Sequence, residues 1–169
     1  MWSNLLLIIL LIICVITDLK ERKIYNKVLF PFLIIAWIFH AITGGWNGLT
    51  EAFLGTAVGL GILLIPYLLG GMGAGDVKLL AVIGGIKGLS FVLMASIYMA
   101  LAGGIMAILF LLYRKGLLKR VIYLIHGLRH GMRLSLLEEN DPVKTTLPYG
   151  VAIAAGAIYQ VYFPGVLSL

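Results

Sequence analysis

Charged residues are scarce in this chain, and their scarcity indicates its class. Lysine, arginine, aspartate and glutamate make up 12% of the 169 residues, 62% are hydrophobic, and the mean hydropathy is +1.08. A soluble globular domain is about half apolar and about a quarter charged. The composition therefore excludes a soluble enzyme and predicts an integral membrane protein that crosses the bilayer several times.

Cysteine is nearly absent, and so are the common motifs of metal and nucleotide sites. Cys14 is the only cysteine, which excludes an intramolecular disulfide and a Cys-x-x-Cys metal site. The chain also lacks His-Glu-x-x-His, Gly-x-Ser-x-Gly and the glycine-rich phosphate-binding motifs. His126 and His130 are four residues apart, but no third ligand is evident. We therefore expect no metal and no cofactor.

Long apolar runs separated by short polar loops are what the chain does contain. They predict an all-α, polytopic membrane protein with about six transmembrane helices in a single membrane-embedded domain. The fourth run predicts a short or partly re-entrant helix, because its ten residues reach about 15 Å, half of a ~30 Å hydrocarbon core. The basic segment 114–146 has apolar residues at helical spacing and predicts a cytoplasmic amphipathic helix. The predicted spans are residues 2–17, 28–43, 51–69, 77–86, 89–113 and 147–163.

Basic residues are distributed asymmetrically between the predicted loops. With six spans, the segments 18–27, 70–78 and 114–146 lie on one side and contain 12 of the 13 lysines and arginines, whereas Lys87 lies on the other. The positive-inside rule then predicts that these segments are cytoplasmic and that both termini are outside. Charges placed in this way are orientation signals, so we expect a lipid bilayer, and no nucleic acid, as partner.

Two of the seven acidic residues, Asp18 and Asp76, lie at the cytoplasmic ends of predicted helices, close to the hydrocarbon. A carboxylate there is costly to keep and is a functional-site hypothesis by default. Two facing carboxyl groups tend to share a proton, so that one takes a proton from water and the other donates one to a scissile carbonyl oxygen. We therefore predict that Asp18 and Asp76 form a catalytic pair that cleaves a peptide without a metal.

Glycine and lysine residues flank Asp76. Gly73 and Gly75 precede it, and glycine lets the backbone approach an extended peptide substrate closely. A flexible turn without chemistry would have the same composition. Lys78 follows two residues later and either orients a carboxylate or is one more basic anchor. The residues themselves do not decide between substrate binding and a flexible turn for the glycines, or between an orienting group and a basic anchor for Lys78.

These motifs resemble those of a known family, the type IV prepilin peptidases. Gly73-Ala74-Gly75-Asp76 is similar to the family's Gly-x-Gly-Asp motif. Asp18, followed by Arg22-Lys23-Ile24-Tyr25-Asn26, resembles its first catalytic aspartate and the basic-Ile-Pro-Asn stretch after it, with Tyr25 at the proline position. Leu147-Pro148-Tyr149-Gly150 resembles the Pro-Tyr-Gly sequence that opens its last helix.

The resemblance implies an aspartic endopeptidase of the cell membrane. Such an enzyme removes the short basic leader of type IV prepilins or pseudopilins after a glycine, at the cytoplasmic membrane face. The chain is similar to the short, peptidase-only members associated with Flp (Tad-type) pili, and archaeal preflagellin peptidases come second. From its single cysteine and its start at the first protease helix, we expect no N-terminal methyltransferase domain.

Two alternatives remain open. Presenilin-like intramembrane proteases also use Gly-x-Gly-Asp, although their first aspartate follows a tyrosine within a helix, whereas Asp18 follows Thr17. A small ion or proton transporter that binds its cation through Asp18 and Asp76 belongs to another class. It predicts carboxylates near the bilayer midplane rather than at one face. The oligomeric state is not predicted.

Overall fold

The computed structural model describes residues 2–113 and 149–163, and every element among them is an α-helix. This confirms the predicted all-α class for the described residues. The amphipathic helix predicted in 114–146 lies outside them. The helices are α1 (Trp2–Glu21), α2 (Asn26–Leu68), α3 (Ala74–Lys87), α4 (Leu89–Tyr113) and α5 (Tyr149–Tyr162).

Helix α2 runs through two predicted spans, 28–43 and 51–69, and doubles back between them. Gly45 interrupts the helix with φ 57° and ψ −140°, a positive φ that glycine adopts without steric cost. Trp37 Nε1 donates a hydrogen bond to Thr56 Oγ1 at 3.2 Å. In a straight helix, residues this far apart would be separated by about 28 Å. The two limbs of α2 therefore lie side by side.

Helix α3 is almost entirely buried among its neighbours. From Val77 to Ile86 every side chain except that of Lys78 is buried. The helix has 14 residues, about 21 Å at the helical rise, which agrees with the predicted short fourth helix. It begins at Ala74, three residues before the predicted span 77–86, because the glycine-rich stretch provides its cap.

Glycines on α2 and α3 bring the two backbones together. A Cβ atom on Gly59 would lie 2.5 Å from the carbonyl oxygen of Leu80. Gly55 meets Gly84 backbone to backbone, and a Cβ on either residue would collide with the other's carbonyl oxygen. The Gly55-x-x-x-Gly59 spacing permits such close contact, and α3 packs mainly along α2.

Three of the described helices are long and apolar enough to cross a membrane, judged by length and composition: Trp2–Glu21, Asn26–Leu68 and Leu89–Leu109. Many of their leucine, isoleucine and phenylalanine side chains are exposed on the outside of the protein, as side chains that face lipid would be. Helices α3 and α5 have 14 residues each, less than a full span. The count of six spans therefore stays a prediction.

The chain divides into two compact units. One comprises Met1–Gly103 with Pro148–Leu169, and the other is Gly104–Leu147. Of the second unit the structure describes residues 104–113, the last part of α4. All residues of the candidate site belong to the first unit. The single domain stays a prediction.

Candidate active site

Asp18 lies in the last turn of α1, one residue beyond the predicted span 2–17. The helix ends shortly after it because Arg22 takes a left-handed conformation with φ 51°. The Arg22 N–H donates a hydrogen bond to the Asp18 carbonyl oxygen at 2.9 Å, which closes the turn as in other left-handed helix ends. The Asp18 side chain is only 6% exposed, so its carboxyl group is held inside the protein.

Asp76 is the third residue of α3 and caps the start of that helix. Gly73 precedes the helix in an extended conformation, with φ −81° and ψ 148°. Its N–H donates a hydrogen bond to Asp76 Oδ2 at 3.2 Å, and the Asp76 N–H donates to the Gly73 carbonyl oxygen at 3.1 Å. These bonds satisfy groups that a helix start otherwise leaves unpaired. They hold the Asp76 carboxyl group, which is 8% exposed, against the first turn.

The loop between α1 and α2 packs directly on the start of α3. A Cβ atom on Gly75 would lie 2.9 Å from the Cβ of Ile24, so only a glycine lets these two segments approach so closely. Lys78 Nζ donates a hydrogen bond to Asn26 Oδ1 at 3.1 Å, which joins α3 to the first residue of α2. Residues that are about fifty positions apart in the chain thus bring the two aspartates to one place.

Both aspartates line a single cavity of about 370 Å³. Its wall consists of Asp18, residues 22–26 and residues 73–76. The volume is near the lower end for ligand pockets. A small molecule or peptide segment bound in this cavity would therefore lie next to both carboxyl groups.

The two carboxyl groups also interact electrostatically. Asp76 precedes the predicted span 77–86 and lies outside the three candidate membrane helices. Burial and, second, the nearby charge of Asp18 raise the pKa of the Asp76 carboxyl to about 6, against the opposite effect of the Gly73 hydrogen bond. Asp76 therefore keeps its proton to a higher pH than an ordinary aspartic acid does. Catalysis by two carboxyl groups that share one proton requires this of one member of the pair.

Tyr25 occupies the position where the resemblance implies proline. Its φ of −85° and ψ of 129° are close to the conformation that proline takes, so the loop keeps an extended course. The Tyr25 hydroxyl donates a hydrogen bond to Glu21 Oε2, and this contact raises the pKa of the phenol. Tyr25 therefore adds a neutral, half-exposed aromatic ring to the cavity wall.

Gly150 is a site residue to which sequence reasoning assigned no role. Its N–H donates a hydrogen bond to Asp18 Oδ2 at 3.0 Å, and the bond is buried. A Cβ on Gly150 would lie 2.6 Å from the same oxygen, so the carboxyl group occupies the space that a side chain would need. The Pro148-Tyr149-Gly150 motif was the sequence signal that could have pointed to Gly150, but the motif does not indicate that Gly150 contacts Asp18.

The predicted site residues are thus distributed as follows. Asp18, Asp76, Gly73 and Gly75 line the cavity. Lys78 does not, and its described hydrogen bond is to the amide of a neutral side chain rather than to a carboxylate. Within residues 2–113 and 149–163, no three His, Cys, Asp or Glu side chains are grouped so that they could hold a metal ion.

Comparisons with known proteins agree with the resemblance. The model of the type IV leader peptidase family matches residues 5–116, more than half of the chain. A prepilin leader peptidase/N-methyltransferase from Bacillus subtilis (strain 168) is 35% identical over 101 residues, which are 57% of this chain and 39% of that protein. The match thus covers about two fifths of this relative's length. No solved structure matches the chain.

Proposed function

The chain belongs to the type IV leader peptidase family, and we propose that it is a membrane aspartic endopeptidase that removes the leader peptide of type IV prepilins or pseudopilins. The observation that carries this proposal is the one cavity that Asp18 and Asp76 share. Two carboxyl groups, one ionised and one protonated, supply the base and the acid that peptide hydrolysis needs.

The proposed reaction needs only these two groups and a water molecule. The ionised carboxylate takes a proton from water as the water oxygen bonds to the scissile carbonyl carbon. The protonated carboxyl group gives its proton to the carbonyl oxygen. When the resulting gem-diol collapses, the C–N bond breaks and the leaving nitrogen takes a proton from the first carboxyl group. The second regains its proton from a hydroxyl of the diol, which restores the pair.

The substrate we propose is a short basic leader joined to an apolar helix, as in Flp-type prepilins, cleaved after a glycine. Gly73 is exposed and extended beside Asp76, and its carbonyl oxygen has a second lone pair that can accept a hydrogen bond from an extended peptide. A cavity of about 370 Å³ must hold both the peptide and the attacking water. A glycine at the scissile bond suits that limited space.

We also propose the six-span, multi-pass topology, with the site at the cytoplasmic face and both termini outside. Two observations support this topology. The hairpin in α2 provides two adjacent limbs, and basic residues cluster at one end of the described helices. The cavity end of the described bundle carries Lys20, Arg22, Lys23, Lys27 and Lys78, whereas Lys87 lies at the other end of α3. Basic residues favour the cytoplasmic side, where the leader junction of a membrane-anchored prepilin is presented.

Co-expression with an Flp-type prepilin tests the function. The measurement is the N-terminal sequence and mass of the pilin recovered from membranes. Asp18→Asn and Asp76→Asn should each abolish processing, because an amide can replace neither the base nor the acid. Glu51→Gln is the matched control, since it neutralises a carboxylate of α2 outside the cavity and should leave processing intact. A chelator should have no effect in membranes or detergent.

Either aspartate variant that still processes prepilin at the normal rate would exclude the pair mechanism. A loss of insertion is distinguished by assaying the membrane content of each variant. If the native chain transports protons or cations and leaves the prepilin uncut, the transporter alternative is correct. If it cuts within an apolar helix rather than at the leader junction, the presenilin-like alternative is correct.

A further inference from the structure

The aromatic ring in the cavity wall bears on which peptides the cavity accepts. We propose that Tyr25 is a specificity-determining residue whose ring limits the size of the side chain on the leader side of the scissile bond. Glycine is accepted at that position and larger residues are not. Glu21 is the positioning residue that holds the ring in place. The inference rests on the proposed peptidase function and deepens it.

Tyr25 is the only aromatic residue among those that line the described cavity, which both aspartates share. Residues 73–75 of the wall are two glycines and an alanine, which occupy little space. Arg22 and Lys23 have long side chains that turn about several bonds. A tyrosine ring is large and rigid, with only two side-chain torsions to fix. The ring is therefore the bulky part of the wall that yields least to a substrate side chain.

The Tyr25 side chain is held at both of its ends. At the backbone end, the Tyr25 carbonyl oxygen accepts hydrogen bonds from the N–H groups of Val28 at 3.0 Å and Leu29 at 3.2 Å, which fixes the residue at the start of α2. At the other end, the Tyr25 hydroxyl donates a hydrogen bond to Oε2 of Glu21, the last residue of α1. The ring therefore extends from the start of α2 to the end of α1.

The position of the ring along α1 indicates which side of the scissile bond it meets. Glu21 follows Asp18 by three residues, about 4.5 Å along the helix axis, and positions three apart are neighbours on one helix face. Tyr25 is tied to Glu21, so its ring lies beyond Asp18 on the side away from the predicted span 2–17. In the proposed topology the leader lies on that side, and the apolar helix of the prepilin lies in the bilayer. The substrate residue beside the ring is therefore the last residue of the leader.

The ring is a feature that the family motif does not supply. The resemblance implies proline at position 25, and the Tyr25 backbone, with φ −85°, follows a course close to that of proline. A proline at this position would keep the course of the loop without a ring or a hydroxyl. Tyr25→Pro thus removes the proposed size limit while preserving the backbone around it.

The test is the ratio of kcat/KM values that the purified chain shows in detergent for matched forms of one Flp-type prepilin. One pair of forms carries glycine or alanine directly before the scissile bond, and a second pair carries alanine or leucine directly after it. The native chain should prefer glycine to alanine about 10- to 200-fold, the range that one additional carbon is worth in a confined pocket. Tyr25→Ala and Tyr25→Pro should lower this preference to about threefold or less and leave the ratio of the second pair unchanged.

The Glu21 variants test the positioning role. Glu21→Ala keeps the ring but releases its tip, so the preference for glycine should fall part of the way, and Tyr25→Phe should match it. Glu21→Gln keeps an oxygen that can accept the Tyr25 hydroxyl and should keep the native ratio. A residue that only stabilised the fold would change the rates for both prepilin forms together and leave their ratio unaltered.

Tyr67→Ala is the matched control. Tyr67 is 39% exposed and Tyr25 is 41% exposed, but Tyr67 does not line the cavity. Removing its ring should leave the preference for glycine at the native value.

An equal preference for glycine in the native chain, Tyr25→Ala and Tyr25→Pro would overturn the proposal. Equal cleavage of the glycine and alanine forms by the native chain would overturn it as well, and so would Tyr25 variants that change only the ratio of the second pair. Tyr25→Pro and Glu21→Ala decide the question if Tyr25→Ala does not fold. Absence of cleavage of the glycine form by the native chain would instead contradict the peptidase function itself.

Discussion

Gly75 packs so closely against Ile24 that a Cβ atom on Gly75 would lie 2.9 Å from the Cβ of Ile24. Real Cβ atoms essentially never come so close, and Ile24 Cβ cannot swing away as the tip of a flexible side chain could. The contact seats the loop that follows Asp18 on the helix that carries Asp76. The distance between the two aspartates therefore depends on a residue that has no side chain.

We expect Gly75→Ala to lower kcat/KM for prepilin about tenfold or more, because the added methyl group moves the loop and small displacements of reacting groups are costly. Gly71→Ala is the matched control. It lies in the same glycine-rich stretch, but its Cβ would be 3.4 Å from the Pro66 carbonyl oxygen, an ordinary contact. Equal processing rates for the two variants would contradict this role of Gly75.

Burial of Asp76 predicts a pH-dependent gain in stability for Asp76→Asn. The pKa is about 6 in the folded protein and 3.8 as the ordinary value. Below pH 3.8 the group is protonated in both states. As the pH rises from 3.8 to 6 the unfolded chain ionises first, so the free energy of unfolding falls. Above pH 6 the loss of unfolding free energy caused by the buried, ionised carboxylate is constant. An asparagine does not ionise and therefore avoids this loss.

Asp76→Asn should therefore melt several degrees higher than the native protein at pH 7.5 and no higher at pH 3.5. The measurement is thermal unfolding in detergent, followed by tryptophan fluorescence. Glu51→Gln controls for the loss of a carboxylate elsewhere in the chain. A melting temperature that rises equally at both pH values would show that the gain comes from packing rather than from ionisation.

Lys78 allows a test between its two sequence-based interpretations. Its hydrogen bond to Asn26 Oδ1 joins α3 to the start of α2, so we expect Lys78→Met to slow processing about two- to tenfold, the worth of one such bond. Asn26→Ala should have the same effect, and the double variant should be no worse than either. A pH profile displaced by Lys78→Met but not by Asn26→Ala would instead make Lys78 an orienting group for a carboxylate.

Apolar runs predicted the helices well, because a run of apolar residues in a membrane must satisfy its backbone internally. Their ends were less accurate. Helix α1 continues to Glu21 because polar residues after the predicted span still favour helix, and it stops only at the left-handed Arg22. Helix α2 keeps helical hydrogen bonding on both sides of Gly45, so two predicted spans form one bent element.

The candidate site was predictable in its chemistry and not in its contacts. Charge asymmetry placed Asp18 and Asp76 on one side, and both line one cavity in the structure. The contact of Asp18 with Gly150 spans 132 positions, and no local pattern encodes a contact between helices so far apart. The packing of Ile24 on Gly75 is equally invisible, since it depends on how closely α3 approaches the loop.

The close contact between Gly55 and Gly84 predicts a stability effect far from the cavity. A methyl group on Gly84 would meet the carbonyl oxygen of Gly55, and two backbones cannot separate there without moving α3 along most of its length. Overpacking of this kind costs about 1–3 kcal/mol, so Gly84→Ala should lower the melting temperature by about 5 °C or more. Gly61→Ala, on α2 like Gly55 but with open space around its Cβ, should melt like the native protein. Because the start of α3 carries Asp76, Gly84→Ala should also lower kcat/KM at temperatures well below its melting point. A variant that melts early but cleaves prepilin normally in the cold would show that the position of Asp76 is independent of the α2–α3 contact.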